Sequence, residues 1–216
     1  AGPRRADGTP VSFAGAPLPG SELGWGIFAP GPNGRAPSER SGVDTTRYMM
    51  SDWGPGWSFR DFDWERDPPR LAEMEVLYSA NHPDLRAFER RGGKLLVYHG
   101  WADPIVTPLG SVDYYEVTER TMGGRERTQA FFRLFMVPGM KHCFAGPGPF
   151  AIDYVAAMEA WVEEGRAPDA LLGAHVRGNH DGPSMIRRFP VSGDVAFTRP
   201  VPPYPREYRY GGRGDP

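Results

Sequence analysis

The 216-residue sequence predicts an α/β fold with a parallel-rich sheet flanked by helices. Two short apolar runs have the composition of buried strands, KLLVYHG at 94–100 and FFRLFMV at 131–137. Between them, a helical pattern covers residues 110–124 and ends at a pair of glycines. Strands that alternate with helices of this length are typical of a parallel sheet covered on both faces.

Regular patterns continue on both sides of this central unit. We expect further helices at 70–79, 84–92 and 150–165, of which the last carries the clearest apolar stripe. Two weaker strands are expected at 171–176 and 184–191, and a proline-rich tail follows them.

The first part of the chain has a different character. It is rich in glycine and proline and shows neither a helical period nor clean alternation, yet it contains Trp25, Trp53 and Trp57. Such a composition indicates a loop-rich segment that is packed rather than disordered. We therefore divide the chain into a loop-rich segment, 1–67, and an α/β segment, 68–216.

Charge and hydropathy exclude several classes of function. The formal net charge of −2 and the pI near 6.2 give no electrostatic basis for binding nucleic acid or an anionic membrane surface. No apolar run approaches the roughly 20 residues that a membrane-spanning helix needs. Residues 1–10 lack both an initiator methionine and the apolar segment of a signal peptide, so we expect a chain processed or truncated at its N-terminus.

Two polar residues stand where a parallel sheet usually places its chemistry, in the loops after the carboxyl ends of the strands. Asp103 follows the first predicted strand in HGWADP, and His142 follows the second in PGMKHC. A carboxylate that accepts from Nδ1–H of a histidine leaves Nε2 free as a general base, and the pair fits the last two members of an α/β-hydrolase triad. The alternatives are that Asp103 is a turn residue before Pro104 and that His142 is an ordinary surface or core histidine.

A nucleophile is not evident in the sequence. The Gly-x-Ser-x-Gly turn of α/β-hydrolases does not occur, and Ser111 and Ser184 stand in loop or early-helix contexts. Cys143 is a poor substitute, because adjacent side chains on an extended segment point apart and His142 is badly placed to activate it. The same argument disfavours a zinc site. A single cysteine leaves either a free thiol or a bridge to something outside the chain.

Longer motifs carry a resemblance to one family. DLRAFERRGGKLLVYHGWADP is followed, in order, by YYE, RLFMVPGMKHCFAGPGP, AWVEEGRAP and RPVPPYP. These motifs resemble the C-terminal half of the tannase and feruloyl esterase family, which includes a mono(2-hydroxyethyl) terephthalate hydrolase. The resemblance implies the C-terminal part of an α/β-hydrolase fold over 68–216, preceded by the end of a loop-rich lid domain over 1–67.

The resemblance also implies roles for three residues. Asp103 is expected to be the acid and His142 the base of a serine-esterase triad. Cys143 is expected to form a disulfide with a cysteine directly before the catalytic serine, in an upstream segment or a partner chain. Such a bond implies an oxidising compartment and therefore a secreted or periplasmic enzyme. No cofactor for the chemistry and no metal site in this chain are implied, although a structural calcium ion is possible in a lid segment before residue 1.

The lid of such esterases covers the acyl pocket. Trp25 and Phe28, with Trp53 and Trp57, are therefore candidates for binding an aromatic acid, and Arg40 for meeting a substrate carboxylate. The alternatives are that these aromatic side chains pack the lid onto the hydrolase core and that Arg40 is an ordinary surface residue.

The chain departs from the family pattern at two points. Members usually have two glycines after His-Cys-x, where this chain has Ala145 and Gly146. Members also tend to have RPLCPYP, where this chain has Val201 and Pro202, so the cysteine of a second disulfide is missing.

The expected function is a serine carboxylic-ester hydrolase that acts on small aromatic esters of the feruloyl, galloyl or terephthaloyl type. Two alternatives stay open: an acyltransferase that uses the same triad with an alcohol acceptor, and a non-catalytic binding module without a nucleophile. No nucleic-acid or membrane partner is expected.

Overall fold

A computed structural model describes residues 4, 6–9, 18–39, 44, 48, 56–57, 61–63, 65–177, 195–209 and 211–212. The chain divides into two compact units. The first comprises Ala1–Ala16 and Trp25–His82, and the second comprises Pro17–Gly24 and Pro83–Pro216. The predicted boundary between residues 67 and 68 does not coincide with this division, because the helix expected at 70–79 belongs to the first unit.

The first unit contains short helical segments. A 3₁₀ helix spans Ser21–Ile27, of which the last three residues lie in this unit. A second 3₁₀ helix, Pro68–Leu71, leads directly into helix α1, Ala72–Tyr78. Asp67, directly before this second 3₁₀ helix, is buried. Its carboxylate accepts a hydrogen bond from the backbone N–H of Asp63 at 2.7 Å and pairs with Arg70 at 3.1 Å.

The second unit carries the α/β architecture. Its elements, in chain order, are α2 (Arg86–Arg90), β1 (Leu95–Gly100), α3 (Pro108–Met122), α4 (Arg125–Gln129), β2 (Phe132–Val137), β3 (Ala151–Ile152), α5 (Tyr154–Glu163), β4 (Leu171–Val176) and β5 (Val195–Val201). Among the described residues, no helix combines the length and the apolar character needed to cross a bilayer.

Strands β1 and β2 form the parallel pair that the sequence predicts. Their register places Gly100 opposite Val137 at the carboxyl end of both strands. Helices α3 and α4 connect them, and Tyr115 and Met122 of α3 lie in one buried cluster with Phe132 of β2. Because both strands run in the same direction, the loops that follow them leave from the same edge of the sheet.

Strands β3, β4 and β5 form a separate antiparallel sheet with β4 in the centre. Pro203, just beyond β5, makes an isolated antiparallel bridge with Phe135 of β2, and the N–H of Tyr204 donates to the carbonyl of Leu134 at 2.7 Å. The proline-rich tail therefore contains a strand and a bridge to β2 that its sequence did not predict. The strand expected at 184–191 lies outside the described residues.

The helix predicted at 150–165 is shorter than expected. Ala151 and Ile152 form β3 instead, because they pair with β4. Helix α5 begins only at Tyr154, where the side chain of Asp153 accepts a hydrogen bond from the N–H of Ala156 at 2.9 Å. An aspartate at this position is a favourable N-cap and fixes where the helix starts.

The end of β1 lies directly against the loop that follows β2. A Cβ atom on Gly100 would lie 2.1 Å from the carbonyl oxygen of Met140 and 2.5 Å from that of Lys141. Both oxygens belong to the backbone, so the loop would have to shift to accommodate a side chain. Glycine at this position therefore allows the two strand-end loops to approach each other.

We expect Gly100→Ala to lower the free energy of unfolding by about 2 kcal/mol or more, because the new methyl group overlaps backbone atoms. Urea denaturation measures the change. Gly211→Ala is a matched control, since a Cβ there meets nothing within 4 Å, and it should alter stability by less than about 0.5 kcal/mol. Equal stability of the two variants would contradict the close approach at Gly100.

Candidate active site

Two loops follow the parallel strands and are bonded to each other. We call residues 101–107 the acid loop and residues 138–150 the histidine loop. The N–H of Trp101 donates to the carbonyl of Val137, and the N–H of Ala102 donates to the carbonyl of Met140, each at 3.0 Å. The first bond ties the acid loop to the last residue of β2 and the second ties it to the histidine loop, so the two loops lie side by side.

Asp103 and His142 are joined by a hydrogen bond across these loops. Nδ1 of His142 lies 2.8 Å from Oδ2 of Asp103. An ionised carboxylate only accepts, so Nδ1 carries a proton and Nε2 of the neutral ring is an acceptor. The His142 side chain is 41% exposed, so Nε2 is accessible. This geometry suits a general base.

Asp103 is buried but well supplied with hydrogen-bond donors. It is only 2% exposed, and its Oδ1 accepts from the N–H of Ile105 at 2.8 Å and from that of Val106 at 3.0 Å. Burial by itself raises the pKa of Asp103, but hydrogen bonds from Val106, His142 and Ile105 outweigh it and hold the pKa below its ordinary value. Asp103 is therefore ionised at neutral pH. It is both a turn residue and the partner of His142.

His99 also contacts Asp103, and sequence reasoning missed it. Nε2 of His99 lies 3.0 Å from Oδ2 of Asp103, and Nδ1 lies 2.7 Å from Oγ of Ser111. The side chain is 11% exposed. The one signal in the sequence was a histidine near the end of an otherwise apolar strand, four positions before the candidate acid.

Cys143 does not have the properties of an activated nucleophile. Within this chain it is a free, exposed cysteine. Partial burial of the thiol and, next, the negative charge of Asp103 raise the pKa of Cys143. A thiol whose pKa is raised stays protonated at neutral pH and attacks poorly. The disulfide expected at Cys143 remains a prediction.

The histidine loop turns sharply around the candidate base. Cys143 and Ala145 have φ angles of 65° and 59°, in the left-handed region that strains a residue with a side chain by roughly 1–2 kcal/mol. The carbonyl of Ala145 accepts from the N–H of Lys141 at 3.1 Å and closes the turn. Ala145 and Cys143 therefore carry this strain on residues that have a Cβ atom.

A segment from near the N-terminus supports both loops. Residues 17–24 were assigned to the lid by the sequence, but they belong to the second unit. Nζ of Lys141 donates to the carbonyl of Leu23 at 3.0 Å. A Cβ on Gly24 would lie 2.6 Å from the ring of Pro104. The segment therefore contacts the histidine loop at one point and the acid loop at another.

The predicted aromatic contacts of the substrate belong to the first unit. Trp25 is 50% exposed and Phe28 is 46% exposed, and the N–H of Phe28 donates to the carbonyl of Trp25 at 2.9 Å. Their role in binding an aromatic acid stays a prediction. Trp53 and Arg40 lie outside the described residues.

Metal-ligating side chains do not gather into a site in the described part of the chain, where no three or more histidine, cysteine or acidic residues are arranged to hold an ion. The structural calcium ion was expected only in a segment before residue 1. That expectation stays a prediction.

Comparison with protein-family models shows which family the chain belongs to. A family model described as tannase and feruloyl esterase matches residues 57–216, a range that contains both loops. The chain belongs to the tannase and feruloyl esterase family. The family membership implied by the sequence motifs is thereby confirmed.

Relatives and solved structures agree with this membership. The chain is 40% identical to a mono(2-hydroxyethyl) terephthalate hydrolase of Piscinibacter sakaiensis, in a match that covers 71% of this chain and 24% of the relative. It is 33% identical to feruloyl esterase C of Talaromyces stipitatus, in a match that covers 76% of this chain and 33% of the relative. The structure of feruloyl esterase B from Aspergillus oryzae matches 99% of this chain and 41% of that one, with a TM-score of 0.73 and 28% identity. The chain thus spans about a quarter to two fifths of the length of these three proteins. The structural likeness agrees with an α/β-hydrolase-like fold, and the assignment of a lid domain stays a prediction.

Proposed function

We propose that this chain supplies the acid and the base of a serine carboxylic-ester hydrolase, Asp103 and His142. The observation that carries the proposal is their hydrogen bond at the carboxyl end of two adjacent parallel strands, in a member of this esterase family. An ionised carboxylate behind Nδ1 and an accessible Nε2 are what acyl transfer requires of its base.

The proposed reaction passes through a covalent acyl-enzyme. Nε2 of His142 takes the hydroxyl proton of a serine while the serine oxygen attacks the ester carbonyl carbon. Asp103 stabilises the resulting imidazolium, which gives its proton to the departing alcohol as the C–O bond breaks. The same nitrogen then takes a proton from water as the water oxygen attacks the acyl carbon. It gives that proton to the serine oxygen as the bond between the serine and the acyl group breaks, which releases the acid and the free serine.

The proposed substrates are esters of small aromatic acids. The relatives' names describe a mono(2-hydroxyethyl) terephthalate hydrolase and a feruloyl esterase. Both names refer to esters of aromatic acids, and we extend this class to feruloyl, galloyl and terephthaloyl esters for the present chain. Trp25 and Phe28 offer flat apolar surfaces that suit such a ring.

The attacking serine is assigned to an upstream segment or a partner chain. Ser111, the serine that contacts this cluster in the described part of the chain, bonds to His99 rather than to His142. Among the described residues, β1 also has a strand neighbour on one side only, although its sequence is apolar. A further strand from the serine-bearing segment would cover this edge.

We expect Asp103→Asn and His142→Ala each to reduce turnover on the order of 10³-fold or more, because the base is lost or held in the wrong tautomer. The measurement is hydrolysis of ferulate, gallate and mono(2-hydroxyethyl) terephthalate esters, with the serine-bearing segment present. Asp169→Asn is the matched control, since that carboxylate is 84% exposed and pairs with Arg133 away from the two loops. Near-normal hydrolysis by either site variant would remove the residue from its proposed role.

Two other functions make different predictions in the same assay. An acyltransferase would form a new ester when an alcohol is added, so product analysis with and without alcohol separates it from a hydrolase. A non-catalytic module would show no turnover with any serine-bearing segment. The esterase proposal requires free acid as the main product in water.

The proposal assigns Cys143 to a disulfide with the residue before the attacking serine. Cys143 is exposed and directly follows His142, so a bond at this point would hold base and nucleophile within reach of each other. A stable disulfide of this kind implies an oxidising compartment, and we propose that the protein acts outside the cytoplasm.

If the disulfide is present, Cys143 should react with a thiol reagent only after reduction, even in denaturant. Reduction should also lower stability by about 2–4 kcal/mol where both segments belong to one chain, and release a second chain where they do not. Mass spectrometry of the labelled protein, with and without reductant, measures both. Full labelling of denatured, unreduced protein isolated from an oxidising compartment would exclude the bond.

A further inference from the structure

His99 takes part in a chain of hydrogen bonds that the proposed reaction leaves unassigned. Its Nδ1 meets Oγ of Ser111 at 2.7 Å, and its Nε2 meets Oδ2 of Asp103 at 3.0 Å. Nε2 also lies 3.2 Å from the carbonyl oxygen of Val106. Oδ2 is the same carboxylate oxygen that accepts from His142. Two imidazoles therefore share one oxygen of Asp103.

The partners of His99 determine which of its nitrogens carries the proton. Nε2 faces a carboxylate oxygen and a carbonyl oxygen, both of which only accept, so Nε2 must be the donor. Nδ1 of the neutral ring is then an acceptor, and the hydroxyl of Ser111 donates to it. Ser111 lies in the first turn of α3, a regular helix that fixes its position.

We propose that His99, oriented by Ser111, is a positioning residue. By donating a hydrogen bond to Oδ2 of Asp103, it weakens the electrostatic interaction between that carboxylate and His142. The inference rests on the proposed role of Asp103 and His142 as acid and base. It assigns His99 no contact with substrate.

The physical basis is the hydrogen-bond capacity of a buried carboxylate. Oδ1 of Asp103 is satisfied by two backbone N–H groups of the acid loop, whereas Oδ2 depends on two side chains. A donor to a charged acceptor withdraws part of its charge and contributes more than a neutral hydrogen bond. The ionisable side chains recorded at this carboxylate are His99 from β1 and His142 and Cys143 from the histidine loop. α3 contributes the neutral Ser111.

Losing the donor should change the pH range of activity. Without His99, Oδ2 interacts more strongly with His142 and favours its protonated form, which cannot act as a base. The acid-side midpoint of the kcat/KM profile should therefore move to higher pH. A buried lone pair of Oδ2 is also left without its partner, which loosens Asp103.

Two substitutions distinguish the effect of losing the hydrogen-bond donor to Asp103 from the effect of losing the imidazole ring. The amide nitrogen of His99→Gln takes approximately the place of Nε2 and can still donate to Asp103, whereas the shorter amide of His99→Asn takes the place of Nδ1 and reaches only Ser111. We expect His99→Asn to lower kcat/KM at neutral pH by roughly 10-fold or more, the size of one hydrogen bond to a charged group, with the acid-side midpoint moved upward. His99→Gln should have a kcat/KM and an acid-side midpoint close to those of the unsubstituted protein.

A second readout needs no catalysis. Long-range ¹H–¹⁵N correlation spectra of protein labelled at histidine nitrogen report which ring nitrogen carries the proton. We expect the Nε2–H tautomer for His99 and the Nδ1–H tautomer for His142. The His142 resonances should shift in His99→Asn and stay near their original positions in His99→Gln. In Ser111→Ala, His99 should keep the Nε2–H tautomer, because Nε2 still faces two acceptors.

The outcomes distinguish this inference from the proposed function. An unchanged pH profile and unchanged His142 resonances in His99→Asn would overturn the inference. An equal loss of activity in both His99 variants, accompanied by an equal fall in Tm, would also overturn it, because His99 would then only stabilise the fold. Activity retained in His142→Ala would instead refute the proposed function, whereas the spectra would still test the contact of His99 with Asp103.

Ser111→Ala completes the set. It should reduce turnover only a few-fold, because Ser111 acts only by orienting the ring of His99, whose Nε2 keeps its hydrogen bond to Asp103. A loss as large as that in His142→Ala would place Ser111 among the reacting groups and would overturn the division of roles described here.

Discussion

The parallel pairing of β1 with β2 is the constraint on which the candidate site depends. It brings the carboxyl ends of both strands to the same side of the sheet. There the N–H of Trp101 bonds to the last residue of β2, and the N–H of Ala102 bonds to the histidine loop. The approach is so close that a side chain on Gly100 would force the backbone of the histidine loop to shift. A substitution that moved the two loops apart would break the hydrogen bond between Asp103 and His142 without changing either residue.

Within that frame, the buried charge of Asp103 dictates the surrounding polar contacts. Removing a carboxylate from water is costly unless donors replace the water. Asp103 receives two backbone donors on Oδ1 and two imidazole donors on Oδ2, and its pKa stays below the ordinary value despite burial. The carboxylate can therefore remain charged behind His142, which is the condition for stabilising an imidazolium.

Local sequence patterns predicted the framework of the site and the place of its two central residues. The strands β1 and β2 are short apolar runs separated by a helix, so their pairing and the exit of both loops at one edge followed from pattern alone. The contacts of His99 could not be predicted in this way, because its partners Ser111 and Asp103 come together only through tertiary packing. A histidine near a strand end has many other uses.

Elements that depend on distant pairing were also missed. β5 contains arginine and proline and forms because β4 lies beside it, and β3 replaces the start of a predicted helix for the same reason. The support of the loops by residues 17–24 joins segments that are far apart in the sequence, as in the bond from Lys141 to Leu23. Nothing in the local sequence marks such contacts. The roles of Trp25, Phe28 and the Cys143 disulfide rest on resemblance to the family and stay predictions.

The most direct test concerns the free nitrogen of His142. In a crystal structure of the protein together with its serine-bearing segment, Nε2 of His142 should lie within hydrogen-bond reach, about 2.6–3.2 Å, of a serine oxygen. After reaction with a phosphonate ester, that same serine should carry the phosphonyl group. A labelled serine beyond the reach of His142 and of one bridging water would contradict the assignment of His142 as the base.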